Sequence, residues 1–279
     1  MKKYNKVLFL FLVLITLAGC TKIIDPKTRK VLDEMIIYSG DAWVFGKEGW
    51  FSAFIVWPIA QLLNFFAQHL GAALSIFIVA ILIKLITLRL SIQATVQQQK
   101  MAAIGPEQAR IEEKYRGRDD EAAKMQKAQE LQKLFQKHQI NPLKALGGAF
   151  LQIPIMIAMY QAVMRANEII TGSIFGQTLE ATPMDGFKTG NFVYIGIFLL
   201  MALAQFLSMF LPQYLAKKKV KQYPNQKAPA NTNAMMYTSF AMIVILGLNW
   251  GVGMSLYWLI NAATQLAQTL YIQNKYGDK

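Results

Sequence analysis

GAALSIFIVAILIKLITLRL, residues 71–90, is the stretch on which the fold turns. As an α-helix it is about 30 Å long, the thickness of a bilayer's hydrocarbon core. Its only charges are Lys84 and Arg89, so it reads as a membrane span. Four more apolar runs follow, at about 143–163, 192–211, 234–248 and 252–271. The last two are separated only by Asn249-Trp250-Gly251, which makes them a tight membrane hairpin with a short first arm. Composition agrees with lipid as the solvent: 54% of residues are hydrophobic, mean hydropathy is +0.29, and 16% are charged, against about 25% in soluble domains. The expected architecture is an all-α membrane protein. It has five transmembrane helices, an outer interfacial amphipathic helix and a cytoplasmic helical hairpin.

Upstream of the first span, Pro58 opens a stretch with Gln61, Asn64 and Gln68 on one face and Ile59, Leu62, Leu63, Phe66 and Leu70 elsewhere. Spacings of three and four predict an amphipathic helix lying in the outer interface, with Trp50 and Trp57 at headgroup depth. The N-terminus has a basic start (Lys2, Lys3, Lys6), an apolar run from Val7 to Leu17 too short to span, and then Leu17-Ala18-Gly19-Cys20. That pattern is a signal peptide ending in a lipobox, with Cys20 as the acylated residue. Residues 1–19 are therefore read as signal peptide and 20–49 as an extracytoplasmic segment. Residues 50–272 are read as the core and 273–279 as a short cytoplasmic tail. Cys20 is the single cysteine, so no internal disulfide forms.

Residues 93–139 are charged in alternating sign, with Arg116-Gly117-Arg118-Asp119 interrupting the pattern. Asp119 or Asp120 can cap the second half, which predicts two antiparallel helices joined by a turn. The loop 213–233 holds Lys217, Lys218, Lys219, Lys221 and Lys227 with no acidic residue, while the Arg165–Asn191 loop balances Arg165 and Lys188 against Glu168, Glu180 and Asp185. The positive-inside rule then agrees with the orientation the lipobox imposes. The chain is expected in the bacterial cell membrane, multi-pass, with its N-terminus lipid-anchored outside and its C-terminus cytoplasmic.

Polar groups inside the spans carry the functional reading. An ionisable side chain at mid-span costs about 2.5–3.5 kcal/mol on insertion scales. Lys84 stands there, with Thr87 and Ser91 three and seven residues further along its face. Either Lys84 snorkels to the inner interface, or it lies in a polar groove. Gln152 lies in the second span, and Gln205 with Ser208 in the third. Tyr257, Asn261, Thr264 and Gln268 share one face of the fifth. Such faces meet one another by interhelical hydrogen bonds or line a wet cavity. With Lys84 they suggest a hydrated cationic groove opening to the cytoplasm. The net charge of +13 sits in loops, where it sets topology and favours anionic lipid rather than sequence-specific nucleic acid. No phosphate-binding loop, HExxH or nucleophile elbow occurs, and His69 and His138 lack neighbours at metal spacing. No enzyme, metal or cofactor is expected.

Several motifs, in order, resemble the YidC/Oxa family of membrane protein insertases. They are Lys100-Met101-Ala102-Ala103-Ile104-Gly105-Pro106-Glu107 after the first span, Glu113-Lys114-Tyr115, and Leu134-Phe135-Gln136-Lys137-His138-Gln139-Ile140-Asn141-Pro142-Leu143. Gly147-Gly148, Leu151-Gln152-Ile153-Pro154 and Tyr160 follow, and then Leu256-Tyr257-Trp258-Leu259 with Gln268-Thr269. The lipobox and lack of a large outer domain resemble the Gram-positive branch. The resemblance implies a groove with one cation in the first span, normally arginine, and Lys84 matches that position. Arg89 and Ala262 stand where the family commonly has proline and asparagine, with Asn261 one position earlier. Gln205 and Trp258 are further groove residues on this resemblance.

The implied function is insertion of nascent membrane proteins, alone or with the Sec translocon. The cytoplasmic hairpin and Lys217, Lys218, Lys219 and Lys221 would receive the nascent chain, the ribosome or targeting factors. Two other readings stay open. One is a channel or transporter for a small anion, for which no inverted repeat is evident. The other is a lipoprotein scaffold for assembly that does not insert.

Overall fold

The computed structural model describes residues 23, 25, 31–43, 45, 49–219 and 230–276, without the side chains of 146–151, 216–219, 230–235 and 275–276. Cys20, the signal peptide, Lys221 and the last residues of the tail lie outside it. The described chain is helical apart from loops and one small hairpin, as expected of an all-α membrane protein. A π-helical turn, Ser52–Val56, runs into α1 (Trp57–Leu70), followed by α2 (Ala72–Ala103), α3 (Gly105–Lys114), α4 (Glu121–Lys137) and α5 (Pro142–Arg165). A short α6 (Asn167–Ile170) leads to β1 (Ser173–Ile174) and β2 (Gln177–Thr178), then α7 (Pro183–Thr189), α8 (Phe192–Lys219), α9 (Ala230–Asn249) and α10 (Val252–Tyr276).

A helix stands at each of the five expected spans. By length and composition, three stretches among the described residues are long and apolar enough to cross a membrane: Ser52–Leu70, Ala72–Ala103 and Phe192–Leu215. The first of these is the stretch read from sequence as an interfacial helix. Helix α2 continues well past residue 90, because nothing between Leu90 and Ala103 breaks a helix. Gly105-Pro106 then starts α3, with proline in its first turn, where its missing N–H costs nothing.

The chain forms two compact units. The first comprises the described residues up to Leu85, with Leu151–Met201 and Ile245–Asn261. In it α1 ends at Gly71, whose φ of +84° suits glycine and lets the backbone reverse into α2. Ser75 donates its hydroxyl to the Leu63 carbonyl at 2.6 Å and tightens that corner. The polar face of α1 is fully used. Gln61 donates to the Tyr38 carbonyl at 2.8 Å and accepts from Gly40 N–H at 3.2 Å. Asn64 donates to the Ile37 carbonyl at 2.8 Å and accepts from Glu168 N–H at 3.1 Å. Ile37 also pairs with the start of α6 as an isolated parallel bridge to Ala166. Gln61 and Asn64, which spacing alone puts on the polar face of an interfacial helix, thus bind backbone, while Gln68 donates to the Glu168 carboxylate at 3.4 Å.

The second unit comprises Ile86–Phe150, Ala202–Val244 and Ala262–Lys279. In it α3 and α4 form the expected antiparallel helical hairpin. Lys114 at the end of α3 pairs with Glu130 in the middle of α4, and Glu107 near the start of α3 pairs with Lys137 at the end of α4 at 3.3 Å, so partners run in opposite directions along the two helices. Asp120 is the cap, accepting from Ala123 N–H at 3.0 Å. Ile104, Leu134 and Ile140 make a small apolar core with Met101, Ile111 and Phe135. Beyond it, Gln97 accepts from Asn141 N–H at 2.9 Å and Gln98 donates to the Ala145 carbonyl at 3.0 Å. These bonds join α2 to the start of α5.

Candidate functional site

Lys84 stands on α2 about 18 Å from the helix start, with 12 residues rising about 1.5 Å each. Its side chain is half-buried, as is that of Thr87 three residues on, which shares its face. Arg89, five residues on, is exposed.

In the first unit the structure brings Gln152 of α5 and Tyr257 of α10 together as a hydrogen-bonded side-chain pair. Tyr257 and Trp258 are 3% and 4% exposed. The Trp258 ring lies 5.1 Å from Trp250, which in turn lies 4.4 Å from Tyr160. A Cβ on Gly247 would meet Met201 Cε at 2.8 Å and the Trp258 ring at 3.3 Å, so this glycine admits the close approach of α9 and α10. Asn261, one turn beyond Tyr257, is half-buried. An apolar wall around a polar pair lets a hydrogen-bonding group sit at membrane depth without an unsatisfied partner.

In the second unit Gln205 is half-buried on α8, and its carbonyl accepts from the Ser208 hydroxyl at 2.8 Å. Ser91 and Gln268, which sequence places on two separate polar faces, meet directly. Ser91 donates to Gln268 Oε1 at 2.9 Å, Gln268 Nε2 donates to the Thr95 hydroxyl at 2.9 Å, and Thr95 donates to the Ser91 carbonyl at 2.9 Å. The three groups form a closed ring between α2 and α10.

Lys217, Lys218 and Lys219 fall in the last turn of α8. The helical hairpin carries its own electrostatics. At Glu107, burial alone pushes the carboxyl up, but the hydrogen bonds from Lys137 and His138 outweigh it and hold the group below its ordinary value. The Lys114 hydrogen bond does the same for Glu130, and Glu130 in turn holds Lys114 above its ordinary value.

Sequence alone reads Arg165 as a loop charge. It is 2% exposed, donating Nε to the Met35 carbonyl at 2.7 Å and a terminal nitrogen to the Ser52 hydroxyl at 2.8 Å. Its place at the last residue of α5 is the one sequence signal, since basic residues suit helix C-termini. Among the described residues no three His, Cys, Asp or Glu side chains gather as a metal site.

A family model described as 60Kd inner membrane protein matches residues 64–279. The membrane protein insertase YidC of Ureaplasma parvum serovar 3 is 30% identical over 244 residues, covering 80% of this chain and 63% of that protein. Membrane protein insertase YidC 2 of Bacillus anthracis is 27% identical over 277 residues, 98% of this chain and 94% of that one. Membrane protein insertase MisCA of Bacillus subtilis (strain 168) is 29% identical over 265 residues, 94% and 87%. This chain therefore spans less than two thirds of the Ureaplasma protein's length but most of the two Bacillus proteins. The family match runs from α1 through α10 and takes in all the helices described above as carrying polar groups at membrane depth; the chain belongs to the YidC/Oxa family.

Proposed function

We propose that this chain inserts nascent membrane proteins into the bilayer, acting by solvation rather than by bond chemistry. Three relatives named as membrane protein insertases support the reading, and so does the placing of Lys84 among apolar residues of α2. The groove residues of the first unit are Lys84 of α2, Gln152 of α5, and Tyr257, Trp258 and Asn261 of α10. A cation held in low-dielectric surroundings attracts an acidic client segment more strongly than it could in water. Neutral amides and hydroxyls around it lower the cost of moving polar backbone through hydrocarbon. The client's apolar span then leaves sideways into lipid. No step makes or breaks a covalent bond.

In the proposed orientation Cys20 is acylated outside and the helical hairpin faces the cytoplasm. There the hairpin and Lys217, Lys218, Lys219 and Lys221 receive the nascent chain, with the ribosome, targeting factors or Sec translocon as partners. The carrying observation is Lys84. Reconstituted into liposomes with a small single-span client, Lys84→Arg should retain insertion, scored by protease protection. Lys84→Ala should lose it for a client with an acidic translocated segment but not for a neutral one. Equal insertion of both clients by Lys84→Ala at matched protein levels would make Lys84 a helix anchor and sink the cationic groove.

A further inference from the structure

The β1–β2 hairpin turns on two residues, Phe175 and Gly176, with φ of +49° and +76°. Positive φ at both central positions is the pattern of the tight hairpin turn that favours Asn, Asp and Gly. A phenyl-bearing residue is strained there and gains nothing for the turn itself. Its ring is also 83% exposed. A bulky apolar group held at a strained tip, with no packing in the fold, calls for a contact outside the chain.

The depth of that tip is set by hydrogen bonds. Gln177, the second residue after Phe175, accepts from Asn191 Nδ2 at 2.7 Å, and Asn191 Oδ1 accepts from Val193 N–H at 3.1 Å. Tyr194 donates its hydroxyl to the Thr178 carbonyl at 3.0 Å. Strand β2 is thus stitched to the first turn of α8, the helix whose Phe192–Leu215 stretch is long and apolar enough to cross a membrane. Phe192, the first residue of α8, is 85% exposed, and Leu199 and Leu203 are exposed at seven and eleven residues further along the same stripe. That stripe faces lipid when α8 crosses the bilayer. Gln177, two residues from Phe175, is tied to Asn191, the residue just before that stripe begins.

We propose that the Phe175 turn is a membrane-surface anchor, its ring seated among lipid headgroups on the side where α8 enters the bilayer. A phenyl ring has no polar end, and it gains by moving its apolar surface from water into the headgroup–acyl boundary, where the apolar faces of interfacial helices place Trp, Phe and Leu. The strained turn holds the ring outward, and the Gln177–Asn191 bond keeps it at a fixed level relative to α8. The inference is independent of the insertase reading and rests only on α8 being a span.

Phe175→Cys, labelled with an environment-sensitive fluorophore, tests it in phosphatidylcholine–phosphatidylglycerol vesicles. The unsubstituted chain, whose one cysteine is Cys20, serves as the labelling blank. The expected result is strong quenching by lipids spin-labelled near the headgroup, weaker quenching by lipids labelled deep in the chain, and little by aqueous iodide. Full quenching by iodide with none by spin-labelled lipid overturns the proposal. Shielding from both overturns it too and assigns the tip to a protein contact. Phe175→Asn keeps the turn chemistry and removes the ring. It should lower the melting temperature in vesicles but not in detergent, whereas an equal fall in both assigns the ring to packing and overturns the anchor.

Discussion

The stitched loops of the first unit and the helical hairpin of the second hold themselves together by opposite means. Around α1 the bonds are neutral and buried: Asn64 is 0% exposed and joins two segments more than a hundred residues apart in sequence. Between α3 and α4 they are ionic and exposed, as in the Lys114–Glu130 and Lys137–Glu107 pairs. Breaking one side of a buried hydrogen bond leaves a partner unsatisfied, at a cost of about 1–3 kcal/mol. An exposed ion pair gives most of its energy back to water and is screened by salt. The first region is built to keep one geometry, and the second to yield.

Asn64→Leu is the strongest way to break that comparison. It removes a donor from the Ile37 carbonyl and leaves Glu168 N–H without its acceptor, so a loss of about 2–3 kcal/mol is expected. Thermal unfolding in detergent checks it, and a loss no larger than that of a hairpin variant would erase the contrast. Gln268→Leu sharpens the comparison from inside the second unit, because its ring with Ser91 and Thr95 is buried although the hairpin is not. An intermediate loss of about 1–2 kcal/mol is expected, since both hydroxyls can find other partners. If the loss matches that of an exposed pair, burial is not what separates the regions.

The smallest effect is expected from acid. Glu107 and Glu130 titrate below the ordinary carboxylate range because their cations favour the charged form. A carboxyl depressed in the folded state contributes stability above its unfolded pKa and loses it as pH falls through the folded value. Acidification below about pH 4 should therefore speed hydrogen exchange in 105–137, relative to intrinsic rates, before the stitched loops respond. Raising salt at neutral pH should act on the hairpin alone. Simultaneous loss of protection in both regions would contradict the division.

What could be read from sequence was local. The turn at 115–120, its Asp cap, the helix at each expected span and the position of Lys84 on its helix all follow from period, breakers and charge. The partners do not. Gln61, Asn64 and Gln68 have the spacing of a wet helix face, and nothing in that spacing says whether water, headgroup or backbone will accept the bond. Ser91 and Gln268 are visible singly as polar residues in apolar helices, but their meeting depends on how two helices 177 residues apart are turned. Arg165 looked like a loop charge because its partners, Met35 and Ser52, lie more than a hundred residues upstream. Tyr257 and Gln152 read as groove residues because they are polar groups in apolar spans, and only coordinates show the bond between them.

Helix α2 has a mechanical consequence. Its 32 residues make a rod about 48 Å long, longer than the roughly 30 Å of hydrocarbon it has to cross. About 18 Å of helix is left over, roughly twelve residues' rise. Gln97 and Gln98 lie in the last turns of the rod, and their bonds to Asn141 N–H and the Ala145 carbonyl bind that surplus to the start of α5. Within the second unit the surplus is therefore a braced stalk that carries the chain on to the helical hairpin.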